Sequence, residues 1–204
     1  GLDGNGLSPL TIPLRLMISA VLRPTPPIAG IAGSDLVDCE GGGGTIAVHE
    51  YSGFIQWQES PDGISNWVNV TAGDGGNSNT YTTPQLYITT YYRAEISQPT
   101  FAPVYTNTVQ IQILVTPDAA GPITGTTEVC QSSTGIVYFI EPIIDASDYI
   151  WSLPNGATGN STTNSITVDF GSNAISGNIS VSGFAFGGCI GLPSLLPVIV
   201  IPQP

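Results

Sequence analysis

The chain reads as short apolar runs in which polar residues alternate, broken repeatedly by Gly, Pro, Asn and Asp. Alternation at period two predicts strands with one buried face, because successive side chains of a strand point to opposite sides. No stretch holds a three-and-four apolar spacing long enough to predict a helix. The clearest predicted strands in the first half are Thr45–His49, Phe54–Gln58, Leu86–Ile88, Tyr91–Ile96 and Val109–Val115. In the second half they are Ile136–Ile140, Tyr149–Leu153, Ser165–Phe170, Asn178–Phe186 and Leu195–Ile201. Runs such as 73–79 and 154–160 are rich in Gly, Asn and Asp or Pro and read as turns. The predicted class is therefore all-β, with five or more strands in each half.

The two halves echo each other. Gly30 and Gly33 precede Cys39 as Gly121 and Gly125 precede Cys130, and Trp57 answers Trp151 at nearly the same offset. This predicts two tandem sandwiches over 28–117 and 118–204, with a linker near 116–121 where Pro117 and Gly121 end a strand and permit a bend. The first 27 residues alternate separately. Leu10, Ile12, Leu14, Leu16 and Ile18 share one face, and Pro24, Pro26 and Pro27 follow. They read as the closing strand of a preceding module plus a proline-rich linker, so the chain is expected to be part of a longer one.

Charge narrows the partners. Fifteen acidic residues face three arginines (Arg15, Arg23 and Arg93) and no lysine, for a net charge of −12. Such a chain repels phosphate backbones and anionic lipid, which argues against nucleic-acid binding. The apolar run at Leu10–Leu22 holds Pro13 and Arg15 and is too short to span a bilayer, so no membrane insertion is expected. The three cysteines, Cys39, Cys130 and Cys189, lack C-x-x-C spacing. One disulfide and one leftover thiol is the simplest arrangement, and it points to an oxidising, extracellular setting.

Certain segments carry a family resemblance. Ile55 to Gly63 (IQWQESPDG), Trp67 to Val70, Thr89 to Arg93 and Tyr105 to Val109 resemble the Ig-like repeat of Bacteroidetes surface proteins. Gly121 to Gly125, Cys130, Tyr149 to Ala157 and Ser165 to Val168 are similar to the PKD-like repeat of the same proteins. The resemblance covers about residues 28–204. It implies two Ig-like and PKD-like β-sandwiches stacked within a large adhesin at the cell surface, of the gliding-motility SprB type and exported by type IX secretion. The Ig-like repeat usually has a second cysteine shortly before Tyr105, and here Gln98 to Pro103 has none. That departure implies that Cys39 is a free, buried thiol, that Phe101 fills part of the lost volume, and that Cys130 pairs with Cys189.

The candidate sites read mainly as structure. Trp57 and Trp151 are expected as inward residues of central strands, although either could stack on a sugar. Trp67, after a polar turn, could sit near the surface and is expected in the core or at a packed edge. Tyr91 and Tyr92 point to opposite faces, so one is buried, and the pair is similar to a tyrosine corner whose hydroxyl bonds to backbone. His49 has no G-x-S-x-G serine for a triad, and Glu50 beside it points away. Asp3 with Asn5, the group Asp35, Asp38 and Glu40, and Asp74 with Asn77 and Asn79 offer oxygens for weakly bound calcium. Turn chemistry accounts for the same residues.

The expected function is a non-catalytic structural and adhesive segment serving surface attachment or gliding motility. Neighbouring repeats, extracellular polysaccharide or solid surfaces are the expected partners. The alternative is a glycan-binding accessory module of a secreted polysaccharide-active enzyme.

Overall fold

The computed structural model describes residues 24–203, so the strand expected at Leu10–Ile18 lies outside the described residues. Residues 24–27 run without regular structure into Ile28, which bridges Ser52. From there the chain is all-β, with 16 strands and no helix among the described residues.

The first half contains β1 (Ile31–Ala32), β2 (Leu36–Cys39), β3 (Thr45–His49), β4 (Phe54–Ser60), β5 (Val68–Asn69), β6 (Thr80–Thr82), β7 (Thr90–Ser97), β8 (Val104–Tyr105) and β9 (Val109–Leu114). One sheet runs β1-β3-β6 and the facing one β2-β9-β7-β4-β5, with β8 hung on β7. The second half contains β10 (Glu128–Cys130), β11 (Ile136–Phe139), β12 (Asp148–Ser152), β13 (Ala157–Thr158), β14 (Ser165–Phe170), β15 (Gly177–Phe184) and β16 (Ser194–Ile201). Its sheets run β10-β16-β15-β12 and β11-β14-β13. In each half an early strand pairs parallel with the last one, β2 with β9 and β10 with β16. Sequence neighbours cannot form a parallel pair through a tight turn, so these pairs close each sandwich end to end.

Alternation explains the packing. On β7, Tyr92, Ala94 and Ile96 are fully buried while Tyr91, Arg93 and Glu95 between them face outward. On β14, Ile166, Val168 and Phe170 point in and Ser165, Thr167 and Asp169 point out. Two separate cores result. The first joins Ile46, Val48, Trp57, Tyr81, Tyr92, Ile96 and Ile111 among others, and the second joins Tyr138, Ile140, Phe170, Ile179, Val181 and Val198 with their neighbours. Each large apolar side chain so buried stabilises its sandwich by roughly 1.5–3 kcal/mol. Trp57 is fully buried, as expected, and its indole donates to the Ser78 carbonyl at 2.9 Å, while its ring stacks on Tyr81 at 6.1 Å.

Several expectations need correction. Trp151 is only half-buried, because β12 ends its sheet and pairs with β15 alone. Its indole reaches the Thr163 carbonyl at 2.9 Å. Tyr91 is the outward member of its pair and lies against Gly63, where a β-carbon would sit 2.8 Å from the ring. Tyr92 is the buried one, yet its hydroxyl has no hydrogen-bond partner, so no tyrosine corner forms there. Hydroxyl-to-backbone bonds come instead from Tyr81 to Ala72 at 2.8 Å and from Tyr138 to Thr126 at 2.9 Å. Leu86–Ile88 is no strand. Leu86 is buried and bridges Gly42, which leaves Tyr87 and Ile88 exposed. Phe101 fills no void, since it sits exposed in a turn closed by its amide on the Gln98 carbonyl.

Candidate functional site

Two places in the fold gather side chains in ways that a packing role for the core does not require. One is the junction between the sandwiches.

The cysteines pair differently from the expectation. The disulfide joins Cys39 to Cys189, with their Cα atoms 5.8 Å apart, and Cys130 is the free, exposed thiol. The strand geometry gives the reason. Cys130 pairs in register with Ile201 at the end of β16, whereas Cys189 lies in the loop just before β16 begins at Ser194. The eight residues of β16 hold these positions about 25 Å apart, against a Cα limit of about 7 Å for a disulfide. Cys39 pairs with Leu114, the last residue of β9, from which the chain passes directly into the second half. Cys39 and the loop of Cys189 therefore meet at the same end of the first sandwich.

The connection between the halves is not a free bend. The Glu40 amide donates to the Leu114 carbonyl at 3.1 Å, and the Glu40 carboxylate accepts from the Thr116 amide at 3.2 Å. Pro117 is buried, the Asp118 amide bonds to Ile144 and the Ala120 amide to Leu192. Leu114 presses on Gly187, whose φ of +110° suits glycine and whose missing β-carbon would lie 2.7 Å from the leucine side chain. A β-carbon on Gly191 would lie 2.7 Å from the Pro117 and Asp118 carbonyl oxygens. Cys189 is itself 1% exposed while Cys39 is half-buried, so the bond is covered on the Cys189 side and approachable from the Cys39 side.

The second place is the outer face of the sheet that carries β4 and β7. Arg93, outward on β7, holds its guanidinium between two aromatic rings, 4.2 Å from the centre of Trp67 and 3.9 Å from that of Tyr105. Its Nε donates to Gln58 at 3.0 Å, and the Gln58 amide donates in turn to Asn69 at 3.2 Å and Glu95 at 3.1 Å. Trp67, expected in the core or at a packed edge, is half-buried beside β5. Only alternation on β7 hinted at the site, by sending Arg93 out when Tyr92 goes in. A shallow cleft of about 260 Å³ lies on the same sandwich, lined by Glu59, Ser60, Pro61, Val68, Ile88 and Thr90.

The remaining candidates are used locally. Asp35 accepts from the Gln110 amide at 2.7 Å, and Asp38 accepts from the amides of Cys39 and Gly43, which hold its carboxyl below the usual range, Gly43 most strongly. Glu40 is spent on Thr116, as above. Asn77 donates to Ile55 and Gln56, Asp74 forms a bridge with Thr82, and the Asn79 carbonyl accepts from Val48. Asp3 and Asn5 lie outside the described residues. His49 is exposed at the end of β3, opposite Ile31. Among the described residues no three His, Cys, Asp or Glu side chains cluster as metal ligands. Among the described residues Asp62 is the carboxylate with the most hydrogen bonds. The Ser65 hydroxyl first, then the Ser65 and Ile64 amides and the Ser60 hydroxyl, hold it far below the usual range. Its work is to close the turn between β4 and Trp67.

Residues 116–190 match the family model of a PKD-like domain, and residues 28–115 match that of a domain of unknown function (DUF8696). A search of curated proteins finds no match. Among solved structures, a marsupial T cell receptor is similar over 85% of this chain and 73% of its own, with 14% identity and a TM-score of 0.51. Fibronectin(III)-like modules of Clostridium thermocellum CbhA are 13% identical, covering 84% of this chain and 91% of theirs, with a TM-score of 0.38. Murine CEACAM1b is 11% identical, covering 85% of this chain and 99% of its own, with a TM-score of 0.39. At such identities the likeness to the receptor concerns the fold, and that fold is Ig-like. A PKD-like Ig-type sandwich and a disulfide are together the marks of an extracellular or secreted protein.

Proposed function

We propose that the chain is a non-catalytic structural and adhesive segment of a large secreted surface protein, one that serves attachment to surfaces or gliding motility. The observation that carries this reading is the junction. Two sandwiches with separate cores are tied by the linker and again by Cys39–Cys189, which suits a stiff spacer in a long extracellular chain. Its partners on this reading are neighbouring modules of the same chain and an external polysaccharide or solid surface. The cell that makes the protein provides the test. Antibody raised to the purified chain should label intact, unpermeabilised cells and reduce their attachment to glass and to polysaccharide gels. Labelling only after permeabilisation, or attachment unchanged by saturating antibody, would overturn the proposal.

A second reading, a glycan-binding accessory module, is favoured by the outer face around Arg93. Aromatic rings, one cation and the amides of Gln58 and Asn69 are the side chains that stack on and hydrogen-bond to sugars. A glycan array separates the readings. Saturable binding to one glycan, lost in Arg93→Ala, would favour the accessory module.

A further inference from the structure

We propose a mechanical function for the Cys39–Cys189 bond: it carries tension across the two sandwiches and leaves β3 to β15, which supply most of both cores, out of the loaded path. The covalent route decides this. Cys39 ends β2 and Cys189 precedes β16, with a sequence separation of 150 between them. Force entering on the N-terminal side runs through β1 and β2 to Cys39, crosses to Cys189 and leaves along β16. Strands β3 to β15, and the linker, lie inside the closed loop. The loaded strands have little length to give, because a β-strand is already near full extension. Both stay attached to the folded modules, β2 by its parallel register from Leu36↔Ile111 to Cys39↔Leu114, and β16 by β15 on one side and β10 on the other. Without the bond the same force would also pass along the backbone of β3 to β15 and the linker. The inference rests on connectivity alone and needs neither a ligand nor a cell surface, so it stands or falls apart from the adhesive reading.

Single-molecule pulling of the full chain, held by its two ends, is the test. In non-reducing buffer the released extension should fall short of the fully stretched chain by about 500 Å, the span of 150 residues. Adding a thiol reductant should restore that length. Cys130→Ser should pull like the parent, and the double variant Cys39→Ser with Cys189→Ser should release the full length without reductant. Full release from the oxidised parent would overturn the proposal. So would a Cys130→Ser chain that releases the full length, since the load would then cross a different bond.

Discussion

Removing the Tyr92 hydroxyl should make the first sandwich more stable. Tyr92 is fully buried, its ring lies 5.6 Å from that of Tyr81, and its hydroxyl makes no hydrogen bond, the Thr90 side chain offering it only a weak contact that opposes the effect of burial. Tyr92→Phe keeps the ring and therefore its packing, and removes only the unpaired polar atom. A buried, unsatisfied polar group costs roughly 1–3 kcal/mol. Against a small loss of contact from the missing oxygen, the expected gain is about 1 kcal/mol, or about 4–8 °C for a domain of this size. Tyr138→Phe is the matched comparison in the second sandwich. There the hydroxyl donates to the Thr126 carbonyl at 2.9 Å, so its loss should destabilise by about 0.5–1.5 kcal/mol. Thermal and urea unfolding of the full chain, followed by tryptophan emission, reads both. Trp57 reports on the first sandwich and Trp151 on the second. A Tyr92→Phe chain that loses 1 kcal/mol or more would show that the hydroxyl is satisfied, and the reasoning would fail.

Burial also raises the phenol of Tyr81 to about 12, with Glu59 adding, and raises that of Tyr92 as well. Their stabilising contribution is therefore complete below the unfolded tyrosine value near pH 10 and is lost as pH rises from there toward the folded values. Urea midpoints should fall between pH 10 and 11.5, less steeply in Tyr81→Phe with Tyr92→Phe, and a flat profile would contradict this. Asp62→Asn should speed amide exchange at Ile64 and Ser65 while the global midpoint hardly moves, because the carboxylate closes one exposed turn. Arg93→Ala should cost roughly 1–2 kcal/mol, about 0.5–1 for each ring, and shift Trp67 emission to the red. Gly191→Val should destabilise by about 1–3 kcal/mol through the clash with the Pro117 and Asp118 carbonyls, read as a lower midpoint.

The long strands were legible because one buried face imposes alternation, and Thr45–His49 and Ser165–Phe170 were read with their bounds. Strands of two or three residues, such as Val68–Asn69 and Val104–Tyr105, are too short to show a period. The Arg93 group was invisible for a related reason, since its two rings come from either side of β7 and only the folded sheet brings them together. Cysteine pairing was misread through the family resemblance, which left Cys39 without a partner inside its own half and did not look across the junction. Cys39 and Cys130 occupy equivalent positions, each closing a strand that runs parallel to the last strand of its half, opposite Leu114 and Ile201. The echo was real. It marks corresponding ends of two modules, and only the end that adjoins the junction faces Cys189.

Placing Arg93 inside β7 has a consequence for the lifetime of the protein outside a cell. Trypsin-like proteases cut after Lys or Arg, and Arg93 is the only such residue among those described, Arg15 and Arg23 lying outside them. It sits in the middle of a strand paired along one edge by β4 and along the other by β9 before it and β8 after it, with its guanidinium occupied by two rings. A protease must bind several residues of extended, unpaired backbone, which β7 does not offer while the sheet stands. Cleavage at Arg93 then waits on the opening of the first sandwich, so the stability of that fold sets how long the described sandwiches survive such enzymes.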